Sequence, residues 1–300
     1  MCDDITDSEN AGWLNRRQFS LAGAGAAALV ALPGCSKAGS PPATPSNAPE
    51  TASALPTQSR TVVIDTPDGK ADGFFVAPTT GKHPAVILWP DIAGLRDAYR
   101  TMGTRLAAAG YAVLVVNQYY RNSPAPVLAS FAEWRTPDGQ AKLKPMIAAI
   151  TPAGTVKDGA AFVAWLDKQV EVDTARRIGT AGYCMGGPFT VRTAFAAPAR
   201  VGAAASFHGA SLVAQGPDSP HQLLARTQAA FLLAIAQNDD ERAPADKDTL
   251  RKAADAAGRP AEIEAYPAQH GWCTIDSPVY DAPQAEKAWG RMMALFAAHL

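Results

Sequence analysis

Short apolar runs alternate with longer amphipathic stretches along most of this chain, at the spacing of a strand–helix–strand repeat. Ala85–Trp89, Ala112–Val116, Val201–Phe207, Ala230–Ala236 and Ala261–Tyr266 are apolar runs of strand length, and Ile178–Ala181 is a shorter one. Runs of this kind suit parallel strands buried on both faces. Between them, Asp97–Ala109 reads as a helix stopped by Gly110. Gly154–Gln169 reads as another, with Val156, Ala160, Val163 and Trp165 forming most of its apolar stripe. Pro188–Ala197, Ala245–Ala257 and Pro283–His299 are further helices. Ahead of the first buried run, Thr61–Asp65 and Gly73–Ala77 flank the turn Pro67-Asp68-Gly69-Lys70, a β-hairpin signal. The pattern predicts an α/β fold: a mostly parallel central sheet with helices on both faces. Only Arg121–Thr151, with Pro124, Pro126, Pro137 and Pro145, gives no readable period.

The first sixty residues follow a different logic. Asn15-Arg16-Arg17-Gln18-Phe19-Ser20-Leu21 resembles a twin-arginine export signal, and Leu21–Leu32 supplies its apolar core. That core is too short for a membrane span, which takes about 20 apolar residues. Gly23-Ala24-Gly25 imitates a dinucleotide fingerprint, but no strand precedes it. Leu32-Pro33-Gly34-Cys35 resembles a lipoprotein processing box, which would lipidate Cys35; ordinary signal cleavage nearby is the alternative. Ser36–Ser59, rich in Pro, Ser, Ala and Thr, reads as a flexible tether. The expected organisation is a signal segment over 1–35, a linker over 36–60 and one domain over 61–300. The expected location is the periplasm, with Cys35 as the only route to a membrane.

Composition narrows the partners. The 300 residues are 47% hydrophobic and 18% charged, with a formal net charge of -1, so no basic excess drives nucleic-acid binding. Four cysteines are too few for a disulfide scaffold, and two of them, Cys2 and Cys35, lie in the leader region. The five histidines show no H-E-x-x-H spacing and the cysteines no C-x-x-C. No metal and no cofactor are expected, and the expected partner is a small molecule met by a monomer.

The chemistry concentrates in Gly182-Tyr183-Cys184-Met185-Gly186-Gly187, between a strand and a helix. A nucleophile between two glycines at such a junction is the elbow motif of the α/β-hydrolase fold. The turn leaves no room for bulky neighbours, and the following helix N-terminus favours a thiolate at Cys184. Its partners in this motif follow in the order acid, then histidine. The run Ala230–Ala236 ends in Gln237-Asn238-Asp239-Asp240, and Ala261–Tyr266 ends in Pro267-Ala268-Gln269-His270-Gly271. Cys184, Asp239 or Asp240, and His270 therefore stand where strands give way to loops, the edge at which open α/β sheets carry their chemistry.

Over roughly Thr61 to Leu300 the chain resembles the dienelactone hydrolase family, on the elbow 182–187, the segment Tyr266–Trp272, Tyr280 and Ala288-Trp289. The resemblance implies Cys184 as nucleophile, His270 as base and Asp239 as the acid orienting it; spacing to Pro244 would instead favour Asp240. It also implies a carboxylate at Asp91, in Trp89-Pro90-Asp91-Ile92, where the family usually has Glu. That acid would hold the resting thiol, although one methylene less leaves the contact open, and bracing the loop is the other role. Backbone N–H groups of Ile92 and Met185 would form the oxyanion hole. Cys273 is expected to pack inward beneath the histidine loop, a disulfide to Cys184 being the alternative. Trp89, Tyr119, Arg121, Tyr183, His208 and Trp272 are substrate-contact candidates. The implied activity is hydrolysis of a small ester or lactone through a cysteinyl acyl-enzyme. A non-catalytic binding lipoprotein, or a thiol acyltransferase or peptidase on the same fold, also fits.

Overall fold

Eight strands form one sheet: β1 (Thr57–Thr66), β2 (Gly69–Pro78), β3 (Ala85–Trp89), β4 (Ala112–Val116), β5 (Ile178–Tyr183), β6 (Val201–Phe207), β7 (Ala230–Ala236) and β8 (Ala261–Tyr266). Their order is β1-β2-β4-β3-β5-β6-β7-β8 in a computed structural model that describes residues 54–300. The β1–β2 hairpin and the β2–β4 pair are antiparallel, and all other pairs are parallel. The helices are α1 (Asp97–Ala108), α2 (Phe131–Trp134), α3 (Pro137–Ala148), α4 (Pro152–Leu166), α5 (Gly187–Ala196), α6 (Pro220–Leu223), α7 (Gln237–Arg242), α8 (Asp246–Ala257) and α9 (Ala282–His299). This is the α/β-hydrolase arrangement. No helix of the described residues is long and apolar enough to cross a membrane.

The central runs are apolar throughout because both sheet faces are covered. Ala85, Ile87 and Trp89 of β3 join one core with Phe162 and Leu166 of α4 and Leu250 of α8. Val86 and Leu88 join the other, with Tyr99 and Leu106 of α1 and Met292 and Phe296 of α9. This is the two-residue alternation of a strand, with an apolar partner on each side.

Three expectations need correction. The strand begins at Thr57, so residues 57–60 belong to the domain and not to the linker. The buried face of α4 is Gly154, Thr155, Asp158, Gly159, Phe162, Val163 and Leu166; Val156 and Trp165 are half-buried and Ala160 is exposed. Asp158 can turn inward because Arg121 and the Tyr120 hydroxyl neutralise and bind its carboxylate. Gln237–Asp240 is the start of α7 and not a loop. The export signal, the Cys35 box and most of the tether lie outside the described residues.

Candidate active site

Parallel strands deliver their C-terminal ends to one edge, and the candidate residues gather there. Cys184 directly follows β5, His208 directly follows β6, and Asp91, Asp239 and His270 lie within four residues of the ends of β3, β7 and β8. Cys184 has φ 52°, the left-handed conformation of a nucleophile elbow. A Cβ on Gly182 would sit 2.2 Å from the Gly186 carbonyl oxygen, and one on Gly186 would sit 2.4 Å from that of Trp89. Both positions therefore require glycine for close approach, and β3 can pass directly beneath the turn.

His270 Nδ1 donates to Asp239 Oδ2 at 2.6 Å, and the His270 backbone N–H donates to Asn238 Oδ1 at 2.9 Å. Asp240, one residue on, pairs instead with Lys247 Nζ at 2.8 Å. Successive helical residues point about 100° apart, so α7 can aim only one of the two aspartates at the histidine loop. Cys273 is a buried free thiol, pushed well above its ordinary pKa by burial and then by Asp281.

Asp91 is buried, and both of its oxygens are taken by the Arg96 fork at 2.7 and 3.0 Å; Oδ1 also accepts the Ala93 N–H at 2.9 Å. Arg96 reaches on to Asp276, just past the histidine loop, at 2.6 and 2.8 Å. Burial alone would lower the Arg96 guanidinium, but Asp91 and Asp276 outweigh it and raise it. Burial would likewise raise the Asp276 carboxyl, yet Arg96 holds it below the usual carboxylate range. The network joins the Ile92 loop to the histidine loop. It is reinforced by Gln118 Nε2 donating to the Asp91 carbonyl at 2.6 Å and Tyr119 hydroxyl donating to the Ile92 carbonyl at 2.6 Å. Arg96→Met leaves two carboxylates facing each other without their cation, one of them fully buried. It should cost about 3–5 kcal/mol of stability in urea unfolding. Because Asp276 is depressed in the folded state, its share of stability is present above its unfolded pKa and lost as acid protonates it. Wild type should therefore weaken in acid more steeply than the variant, and parallel acid curves would contradict the pairing.

Two open clefts meet at Ala210 and Ser211. One, of about 860 Å³, is bordered by His270, Asp239, Ile235 and Lys247. The other, of about 900 Å³, is bordered by Ile92, Met185, Ile147, Ile150, Phe189 and Arg192. Thus Ile92 and Met185 flank one cleft and the acid–histidine pair the other. None of the six substrate-contact candidates borders either. Trp89 is buried in the core with its indole N–H on Thr193 Oγ1, and Tyr119 is buried beneath Ile92. Arg121 is spent on Asp158 and Asp68, Tyr183 stacks on Phe207, and Trp272 stacks on Tyr266. His208 is buried against the elbow, its Nδ1 accepting the Cys184 N–H. Large aromatics at strand ends fill the layer beneath the site instead of its mouth. The clefts use residues that sequence reasoning missed, above all Ile147 and Ile150 from the unreadable stretch, and Arg192 on α5. The amphipathic spacing of Leu143, Met146, Ile147 and Ile150 was the available signal. Among the described residues no group of three or more His, Cys, Asp or Glu could hold a metal ion.

Comparison with known proteins bears on the fold and the family. A Methylorubrum extorquens protein provisionally named carboxymethylenebutenolidase is 27% identical over 241 residues, covering 78% of this chain and 79% of that one. An Escherichia coli protein with the same provisional name is 26% identical over 254 residues, covering 78% and 90%. Among solved structures, a provisionally named dienelactone hydrolase from Klebsiella pneumoniae superposes with TM-score 0.69 at 23% identity, covering 80% of this chain and 98% of that one. A dienelactone hydrolase-like promiscuous phosphotriesterase from metagenomic libraries gives TM-score 0.63 at 22% identity, covering 81% and 98%. Residues 71–300 match the family model as well, and the chain belongs to the dienelactone hydrolase family.

Proposed function

We propose that the chain hydrolyses a small carboxylic ester or lactone through a thioester on Cys184. With Cys184 in its thiol form, His270 takes the thiol proton, the resulting thiolate attacks the substrate carbonyl carbon, and the oxygen that gains charge is met by the N–H groups of Ile92 and Met185. Collapse of that intermediate expels the alkoxide or enolate, which takes a proton from His270. His270 then removes a proton from water, which attacks the thioester and releases the acid and the thiol. Asp239 orients the imidazole, keeping the proton on Nδ1 so that Nε2 is the nitrogen exchanging protons with thiol, leaving group and water.

The observation that carries this reading is the 2.6 Å Asp239–His270 contact, at the same sheet edge as a cysteine in left-handed elbow geometry. Asp91 is read as the brace that holds the Ile92 loop through Arg96, since its carboxylate is already engaged there. Purified protein assayed against p-nitrophenyl esters and small lactones should show a burst of phenolate followed by slower steady turnover. A reactive thiol without any turnover would favour the binding or acyl-transfer readings. Export rests on the Arg16-Arg17 segment and is also proposed; recovery of the full chain in the cytosolic fraction of its host would contradict it.

A further inference from the structure

His208 is the buried imidazole that this reaction scheme leaves unused. It directly follows β6, paired with the elbow strand β5 through Tyr183 and Phe207. Its backbone is left-handed at φ 40°, and its own N–H is fixed on the Ala234 carbonyl at 2.8 Å. It is 1% exposed. Its Nδ1 accepts the backbone N–H of Cys184 at 3.1 Å. Its ring centroid lies 4.9 Å from that of His270 and 5.1 Å from that of Trp272. One side chain thus touches the backbone of the nucleophile and the ring of the base.

We propose that His208 is a positioning residue for the hydrolysis: its Nδ1 anchors the Cys184 N–H and its ring walls His270, which together set the approach of thiol to imidazole. The inference rests on the reading of Cys184 and His270 as nucleophile and base. An N–H donor on Nδ1 requires that nitrogen to be bare, which puts the His208 proton on Nε2. Nε2 has no hydrogen-bond partner among the described residues, so no other contact competes for the tautomer. Protonating Nδ1 would set two N–H groups against each other and release the elbow. The titratable groups that meet the ring are His270 and Tyr183, with Cys184 at Nδ1. Burial, and then His270, hold His208 well below the ordinary histidine range. It therefore stays neutral while its neighbour gains and loses a proton, and the anchor survives the whole cycle.

The contact makes the site sensitive to where an acceptor stands, and three substitutions in the full chain separate position from bulk. In His208→Asn the Oδ1 replaces Nδ1, and Asn tolerates left-handed backbone. In His208→Gln the acceptor moves one atom outward, and His208→Leu keeps the outline of Asn without any acceptor. With p-nitrophenyl butyrate, Asn should hold kcat within about 10-fold, whereas Gln and Leu should lose about 100-fold, with KM within about 3-fold in all. Equal losses for Asn and Gln, or wild-type kcat for Gln and Leu, would overturn the proposal. Independently of activity, nitrogen-15 spectra of labelled wild type should show His208 as the Nε2–H tautomer with no titration between about pH 5 and 8. An Nδ1–H tautomer, or titration near the free-histidine pKa, would overturn it as well. A wild type that cleaves no ester contradicts the hydrolase reading, and the tautomer spectrum still decides whether His208 holds the elbow.

Discussion

Cys184→Ala should abolish ester turnover, with a loss on the order of 10⁴-fold or more, while leaving the fold of the elbow intact. The elbow backbone is held from outside the side chain. Gly182 and Gly186 permit the close crossing over β3, and His208 takes the Cys184 N–H. Alanine keeps both of those backbone contacts and removes the attacking sulfur. Losses of this size are typical when the attacking atom of a nucleophile–base unit is removed. Cys184→Ser should also lose most activity, because a hydroxyl yields its proton far less readily than a thiol. Wild-type esterase rates in the alanine variant would remove Cys184 from the mechanism.

Asp239→Asn carries the second largest expected effect, about 10³–10⁴-fold in kcat, by the logic of triads in which an amide stabilises the wrong histidine tautomer. The amide can present an N–H to His270 Nδ1 at the place where an oxygen now accepts at 2.6 Å. His270 would then carry its proton on Nε2 and could not take one from the thiol or from water. Asp240→Asn weakens only the pair with Lys247 on α8, a partly exposed contact worth about 1 kcal/mol or less. Its kcat should stay near wild type. If the two variants exchange these outcomes, the orienting acid is Asp240.

These two variants address a choice that the linear sequence could not settle. Asp239 and Asp240 are adjacent letters, and Gln237–Asp240 carries no apolar period from which a helix could be read. Once α7 forms, the two side chains diverge, one toward the histidine loop and one toward α8. The central strands were legible almost to the residue because β3, β4, β6 and β7 are buried on both faces, and unbroken apolarity marks their ends. The buried face of α4 was not, since Asp158 is buried by partners on the β4–α2 loop, which local pattern does not reveal. Arg96 escaped notice for a similar reason. It lies in an ordinary loop, and its second carboxylate, Asp276, is 180 positions away. The aromatic candidates at strand ends are buried and border neither cleft, because apolar size predicts burial better than it predicts a cleft wall. Of the cleft residues not anticipated, Ile147 lies on α3, whose internal Pro145 interrupts a helical reading, and Ile150 lies just after it.

The thioester on Cys184 is the central claim, and trapping it is the most direct test. Full-length protein mixed with p-nitrophenyl butyrate and quenched in acid during the burst should gain the mass of one butyryl group. Peptide mapping should place that group on the fragment containing Cys184, and it should disappear as turnover proceeds. A butyryl group on any other residue, or steady turnover with no acyl-enzyme and an unchanged rate in Cys184→Ala, would contradict the account.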